Sequence, residues 1–421
     1  MTSMAFHGGK MDGKVLPPPS KSHTHRAFFF AAMADGTSVI SHPLISSDTK
    51  ATLNACKLMG AETKFLHDGR ISISGGKLHA PKITVDADNS GTTMRIFTGL
   101  CSMFDEPVTI TGDESLLKRP MGPLLKTLEQ SGIECVSTGG FPPITVKGPN
   151  KGGVMKINGS VSSQFITSLL MVSPMLEKPS EIIVEGSMVS GPYLDVTISM
   201  MRLFGASASR KNNVFDVECT GYKPYDYIVP SDFSSAAFPL VAGALGGKVT
   251  VTGMDLNDPQ GDKVIVDILR KAGCYVIIDG SEITAEKGKL RGCEIDLGKA
   301  PDLFPIVAVM LSVAEGDSRL YGAPQLKFKE SNRIETVVNL INSIGGSAEP
   351  TDDGCIIHGK PEGLVGGKIV HKGDHRLMMS AAVASLVCEG PVIMDDVECC
   401  AVSYPDFIDQ MRELGMRSEA I

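Results

Sequence analysis

Apolar stretches with no polar face, short strand-like strings and amphipathic stretches follow one another in a fixed order that recurs about every 70 residues. Each copy opens on a polar or charged cluster, then runs through an apolar helix and a glycine-containing turn into a short strand. Copies open near Ser20, Asn89, Ser162, Asp232, Asp302 and Asp374, at steps of 69, 73, 70, 70 and 72 residues. Runs such as AFFFAAM, FITSLLMV and LMMSAAVA predict helices buried inside a layered α/β domain rather than lying on its surface. The strings ISISGG, PPITVKG, EIIVEG, KVTVTG and GCEIDLG, bounded by Gly and Pro, predict strands. TKATLNACKLMGAE, GPLLKTLEQSGIE, VIVDILRKAGC and ETVVNLINSIGG have the spacing of half-buried helices. One unit therefore holds two helices and about four strands.

Six such units fill the 421 residues, and 42% apolar content is enough for two buried cores. Two domains of three units are expected. The boundary falls near Tyr227 to Asp232 with a second crossing near Leu16 to Ser20, giving residues 18–229 as one domain and 1–17 with 230–421 as the other.

Composition narrows the function classes. Pro, Gly, Ser or charge interrupts every apolar run short of the roughly 18 residues that cross a bilayer, so no membrane partner is expected. The opening MTSMAFHGGKMDGKVLPPPSKS has neither a signal-peptide core nor an Arg-rich, acid-poor character, and a cytoplasmic location is expected. A net charge of −8 argues against nucleic acid as a partner. The ten cysteines show no C-x-x-C pair and no zinc spacing, so they read as small core residues in a reducing compartment, and no metal site is expected.

The chemistry lies in the clusters that open the helices, where unpaired backbone N–H groups and the helix dipole favour anions. Pro19-Ser20-Lys21-Ser22 with His25 and Arg26 is an anion site or an N-cap with solvated basic residues. In Asn89-Ser90-Gly91-Thr92-Thr93-Met94-Arg95, Gly91 lets a ligand approach the backbone closely; a capped helix with a surface Arg is the plainer alternative. Lys118-Arg119 precedes Pro120, which can begin a helix, and by itself reads as a solvated pair. Ser162-Ser163-Gln164 offers more hydrogen-bonding groups than one cap requires. Ser190-Gly191-Pro192-Tyr193 is a turn or part of a site. Lys329 and Arg333 would share a helical face and repel by roughly 0.2 to 0.5 kcal/mol unless Glu330 or a ligand anion lay between them. His375-Arg376 puts positive charge at a helix start, where the dipole disfavours it. Asp302 is an N-cap or a buried carboxylate available for proton transfer. No P-loop, H-E-x-x-H, Gly-x-Ser-x-Gly or Gly-x-Gly-x-x-Gly motif competes.

Jointly and in this order, P-S-K-S with Arg26, D-N-S-G-T-T-M-R, K-R-P-M-G-P-L, S-S-Q-F-I-T-S-L-L-M, S-G-P-Y-L-D-V-T, K-E-S-N-R-I, D-H-R-L-M-M-S and S-Y-P-D-F resemble the 3-phosphoshikimate 1-carboxyvinyltransferases, or EPSP synthases, from about Leu16 to Leu414. The resemblance implies two similar domains, each of three βαβαββ-type units in an inverse α/β barrel, with the active site in the cleft between them. It implies enolpyruvyl transfer from phosphoenolpyruvate to the 5-hydroxyl of 3-phosphoshikimate through a tetrahedral intermediate, with no cofactor and no metal. On it, Lys21, Ser22, Arg26, Ser162, Ser163, Gln164, Ser190, Tyr193, Asp302 and Lys329 are expected to bind 3-phosphoshikimate. Lys21, Gly91, Arg119, Gln164, Arg333 and Arg376 are expected on phosphoenolpyruvate. Asp302 is similar to the family's acceptor for the hydroxyl proton and Glu330 to the group that protonates the methylene carbon; Lys21 completes the catalytic set, and Lys118 and Asp48 lie at its edge. A monomer is expected, whose two domains close as the substrate anions draw them together.

Three departures from the family pattern stand out. Val402 precedes Ser403-Tyr404-Pro405 where many relatives carry Lys, Asn332 stands where Asp is common, and Gln325 and Lys327 replace Asn and Arg. Two alternatives follow. The sister transferase acting on UDP-N-acetylglucosamine uses a Cys ahead of its Arg-Pro, and Gly112 to Lys118 contains none. A non-catalytic anion-binding relative would keep the cations without needing both Asp302 and Glu330.

Overall fold

The computed structural model describes residues 2–421. It divides into two compact units, Pro19–Pro230 in one and the chain up to Pro18 with Ser231–Ile421 in the other. In the first, the helices Lys21–Met33, Gly91–Cys101 and Ser163–Val172 form the interior. In the second, Phe233–Gly246, Phe304–Leu311 and His375–Ala384 do the same. These are the helices without a polar face, and burial on nearly every side is the one environment that suits them.

The repeat is plainest around Gly91–Cys101. The strand Val85–Asp86 leads into this helix, and Val108–Thr111 returns parallel to it with Val85 opposite Ile110. The amphipathic helix Gly122–Gln130 follows, then an antiparallel pair, Glu134–Thr138 with Phe141–Lys147. The order is therefore βαβαββ. Strands such as Ile71–Ser74, Val108–Thr111 and Cys355–His358 alternate buried with partly exposed residues, so one face of each sheet covers the helices and the other meets water. In each unit the buried helices lie inside and the sheets outside, and among the described residues the six four-stranded sheets stay separate.

Each unit completes itself with strands from far along the chain. Tyr227–Ile228 pairs with Thr37–Ser41 and supplies the first strand of the first repeat. Met11–Val15 does the same for Gly247–Val251, and Met4–His7 fills the last sheet between Val392–Met394 and Arg417–Ala420.

Four of the six buried helices begin with a side-chain cap: Ser90 accepts from the Thr93 amide at 3.1 Å, Ser162 from Gln164 at 3.2 Å, Asp232 from Ser235 at 3.1 Å and Asp374 from Arg376 at 3.1 Å.

Candidate active site

Within Pro19–Pro230 the helix starts carry a polar network. Lys21, the first residue of its helix, places Nζ 2.9 Å from Asp48 Oδ2 in the first turn of helix Ser47–Leu58. One turn on, Arg26 is buried, donating from Nε to Thr197 Oγ1 at 2.9 Å, from Nη1 to the Ser22 carbonyl at 2.9 Å and from Nη2 to the Tyr193 carbonyl at 3.3 Å. The reading of solvated basic residues therefore fails for Arg26. It fails for Arg119 too, which is 7% exposed and donates to Asn89 Oδ1 at 2.6 Å and Ser115 Oγ at 3.2 Å.

Gly91 opens its helix against this guanidinium: a Cβ there would stand 3.0 Å from Arg119 Nη1 and 3.6 Å from Arg95 Nη1. Gln164 accepts from Arg95 Nη1 at 2.7 Å and donates to Thr92 Oγ1 at 2.9 Å, tying two helix starts together. Ser162 caps the Gln164 helix, beside a buried Ser163. Ser190 is buried with φ 53, a left-handed conformation that costs a non-glycine residue about 1 kcal/mol or more, just ahead of the helix Pro192–Leu203 that carries Tyr193.

The second unit gathers Asp302, Lys329, Glu330, Arg333 and Arg376. Asp302 Oδ1 lies 3.2 Å from Lys329 Nζ and 2.8 Å from Arg333 Nη1, and its Oδ2 lies 3.3 Å from Arg376 Nη2. Glu330 Oε2 is 2.7 Å from Arg333 Nη2. Arg333 also meets Asp374, with Nε to Oδ2 at 2.8 Å. Burial alone would push Asp302 toward its neutral form, but Arg376, Lys329 and Arg333 outweigh it and hold the carboxyl well below the usual range. Asp232 shows the opposite balance: burial raises its pKa, and Arg376 and Ser235 offset only part of that.

Several local expectations need correction. Lys329 and Arg333 do not share a helix. Lys329 follows the short 3-10 segment Pro324–Phe328, and the α-helix begins only at Arg333. The anion between them is Asp302, which lies 27 residues before Lys329 in the same repeat. Asp302 is not an N-cap, since its oxygens are engaged by the three cations; it lies in the 3-10 turn Pro301–Leu303. Pro120 does not begin a helix, because the next one starts at Gly122.

Four polar groups of these networks were absent from the residues expected on the substrates: Arg95 and Asn89, named only as members of the Gly91 cluster, Thr197 and Asp374. Arg95 was visible one turn after Gly91, and Asp374 as the third aspartate, after Asp232 and Asp302, at the start of a repeat. Thr197 had no signal, because a threonine within a helix looks the same whether or not an arginine faces it.

The family model for EPSP synthase (3-phosphoshikimate 1-carboxyvinyltransferase) matches residues 7–411. The chain belongs to the EPSP synthase family. It is 45% identical over 416 residues to the 3-phosphoshikimate 1-carboxyvinyltransferase of Methanocorpusculum labreanum, covering 97% of this chain and 98% of that one. To the enzyme of the same name from Methanocaldococcus jannaschii it is 38% identical over 418 residues, covering 97% of each. A solved EPSP synthase structure from Acinetobacter baumannii superposes with a TM-score of 0.82 at 30% identity over the full length of both chains. Family membership and fold thus agree with the motif order, and the polar clusters sit where the EPSP synthase motifs fall. No helix among the described residues is long and apolar enough to cross a membrane.

Proposed function

We propose that this chain transfers the enolpyruvyl group of phosphoenolpyruvate to the 5-hydroxyl of 3-phosphoshikimate, giving 5-enolpyruvylshikimate 3-phosphate and phosphate. The observation that carries the reading is the cluster on Asp302: one carboxylate against three cations, with a second carboxylate, Glu330, on the same arginine. A site that only bound anions would not need both Asp302 and Glu330 among its cations. An enzyme that moves two protons beside two anionic substrates needs both.

In this reading Lys21, Ser22, Arg26, Ser162, Ser163, Gln164, Ser190, Tyr193 and Lys329 hold 3-phosphoshikimate, and Asp302 accepts the proton of its 5-hydroxyl. Lys21, Gly91, Arg119, Gln164, Arg333 and Arg376 hold phosphoenolpyruvate, and Glu330 delivers a proton to its methylene carbon as the hydroxyl oxygen bonds to the neighbouring carbon. Loss of a proton from the new methyl group and departure of phosphate then restore the double bond. Charge-assisted hydrogen bonds of roughly 1.5 to 3 kcal/mol each make a few such contacts enough for micromolar binding.

The test is phosphate release with 3-phosphoshikimate, phosphoenolpyruvate or both, without added metal, for wild type, Asp302→Ala and Glu330→Ala. Release that needs both substrates and collapses in the variants is expected. Intact binding with no release by the wild type would mean a binding protein instead.

A further inference from the structure

Of the three carboxylates on Arg333, Asp374 and Asp302 differ in character. Asp374 is fully buried and takes four donors: Arg333 Nε at 2.8 Å, Arg333 Nη2 at 3.2 Å, Ser331 Oγ at 3.0 Å and the Arg376 amide at 3.1 Å. It fixes the plane of one guanidinium and caps the helix that carries the other, so it is a permanent mount. Asp302 is not the cap residue of the helix Phe304–Leu311 that follows it. Its side chain keeps 16% exposure, and its two oxygens pair with three side-chain cations, one of them the 28% exposed Lys329.

We propose that Asp302 stands in for a ligand anion in the unliganded protein, competing with an incoming phosphate or carboxylate for Lys329, Arg333 and Arg376, and is exchanged out of these ion pairs on binding. This rests on the functional reading above and deepens it. A cation already satisfied by an internal carboxylate yields a ligand only the difference between two similar interactions, and an anion set down beside Asp302 is also repelled by it.

The exchange has a chemical consequence. The groups acting on Asp302 are the three cations, with Asp232 beside Arg376, and Glu330 and Asp374 reached through Arg333. Burial favours the protonated carboxyl, and the cations alone hold it ionised. Once substrates draw the cations away, the balance moves toward proton uptake. The base thus gains strength as the hydroxyl to be deprotonated arrives.

The experiment compares wild type, Asp302→Asn and Asp374→Asn, each removing one negative charge from the same cluster, by calorimetric titration with phosphoenolpyruvate alone and with inorganic phosphate, alongside thermal melts. Asp302→Asn should bind phosphoenolpyruvate at least roughly tenfold more tightly than wild type, the loss of one competing charged contact, while turnover disappears. Asp374→Asn should bind it more weakly. Equal tightening in both variants would show a general field effect and overturn the proposal, as would unchanged or weaker binding by a folded Asp302→Asn. Asp302→Ala serves the same comparison should the asparagine variant unfold. The titrations need no turnover, so a wild type that releases no phosphate sinks the functional reading separately from the competition.

Discussion

Arg26 and Thr197 meet through a 2.9 Å hydrogen bond from Nε to the threonine hydroxyl, across 171 residues of sequence. The other acceptors of this buried guanidinium are the Thr167 hydroxyl and the Ser22 and Tyr193 carbonyls, all neutral. Burial brings its pKa down to about 10, and Tyr193 and Tyr227 offset only part of that. A buried cation held by neutral groups is a cost to folding and is suited to an anionic ligand. Arg26→Met is therefore expected to keep or raise the melting temperature while kcat/KM for 3-phosphoshikimate falls on the order of a hundredfold. A melting temperature several degrees lower would count against this.

Gly91→Ala should separate stability from affinity. Alanine is the better helix former by up to about 1 kcal/mol, but its methyl group would press on Arg119 Nη1 at 3.0 Å. Expected is an unchanged or slightly higher melting temperature, with KM for phosphoenolpyruvate raised several-fold and KM for 3-phosphoshikimate little affected. Steady-state kinetics against each substrate decides it.

The contact between two helices of the first unit depends on Gly99. A Cβ there would collide with Ser168 Oγ, which donates to the Arg95 carbonyl at 2.7 Å, and would lie 3.0 Å from the Ser168 backbone oxygen. Gly99→Ala should cost roughly 1 to 3 kcal/mol in urea melts and weaken phosphoenolpyruvate binding by shifting Arg95 against Gln164. Full stability in the variant would show that the helices can part freely.

His25 makes stability depend on pH. Its ring is buried, with Nδ1 2.6 Å from Thr52 Oγ1. Burial, then Lys21 and Arg26, hold its pKa well below 6.5. Unfolding releases the ring to take up a proton, so stability falls as pH drops below about 6.5 toward the folded value, by at most about 1.4 kcal/mol per pH unit. His25→Asn should flatten that part of the profile. Urea melts at stepped pH that show the same slope in both proteins would exclude the assignment.

Much of the architecture was legible in the chain. The buried helices declared themselves because a run such as AFFFAAM has no face to offer water, and the outer helices and strands because periodicities of 3.6 and 2 are local properties. Motif order was likewise enough to place the chain in its family before any contact was known. The failures were of partnership. Lys329 and Arg333 were separated by an aspartate 27 residues before Lys329, and Lys118-Arg119 divided into an exposed lysine and a buried arginine.

The sequence by itself therefore determined the sixfold recurrence of two helices and about four strands and the reactive residue types at each helix start, since both follow from neighbours within a few turns. Only the tertiary structure decided that Arg26 would rest on threonines, that Asp374 would mount Arg333 and that Asp302 would face three cations at once. Partners 27 to 171 residues apart meet because packing the buried helices brings their ends together. The same packing excludes water, and the loss of solvent screening gives those charges their strength.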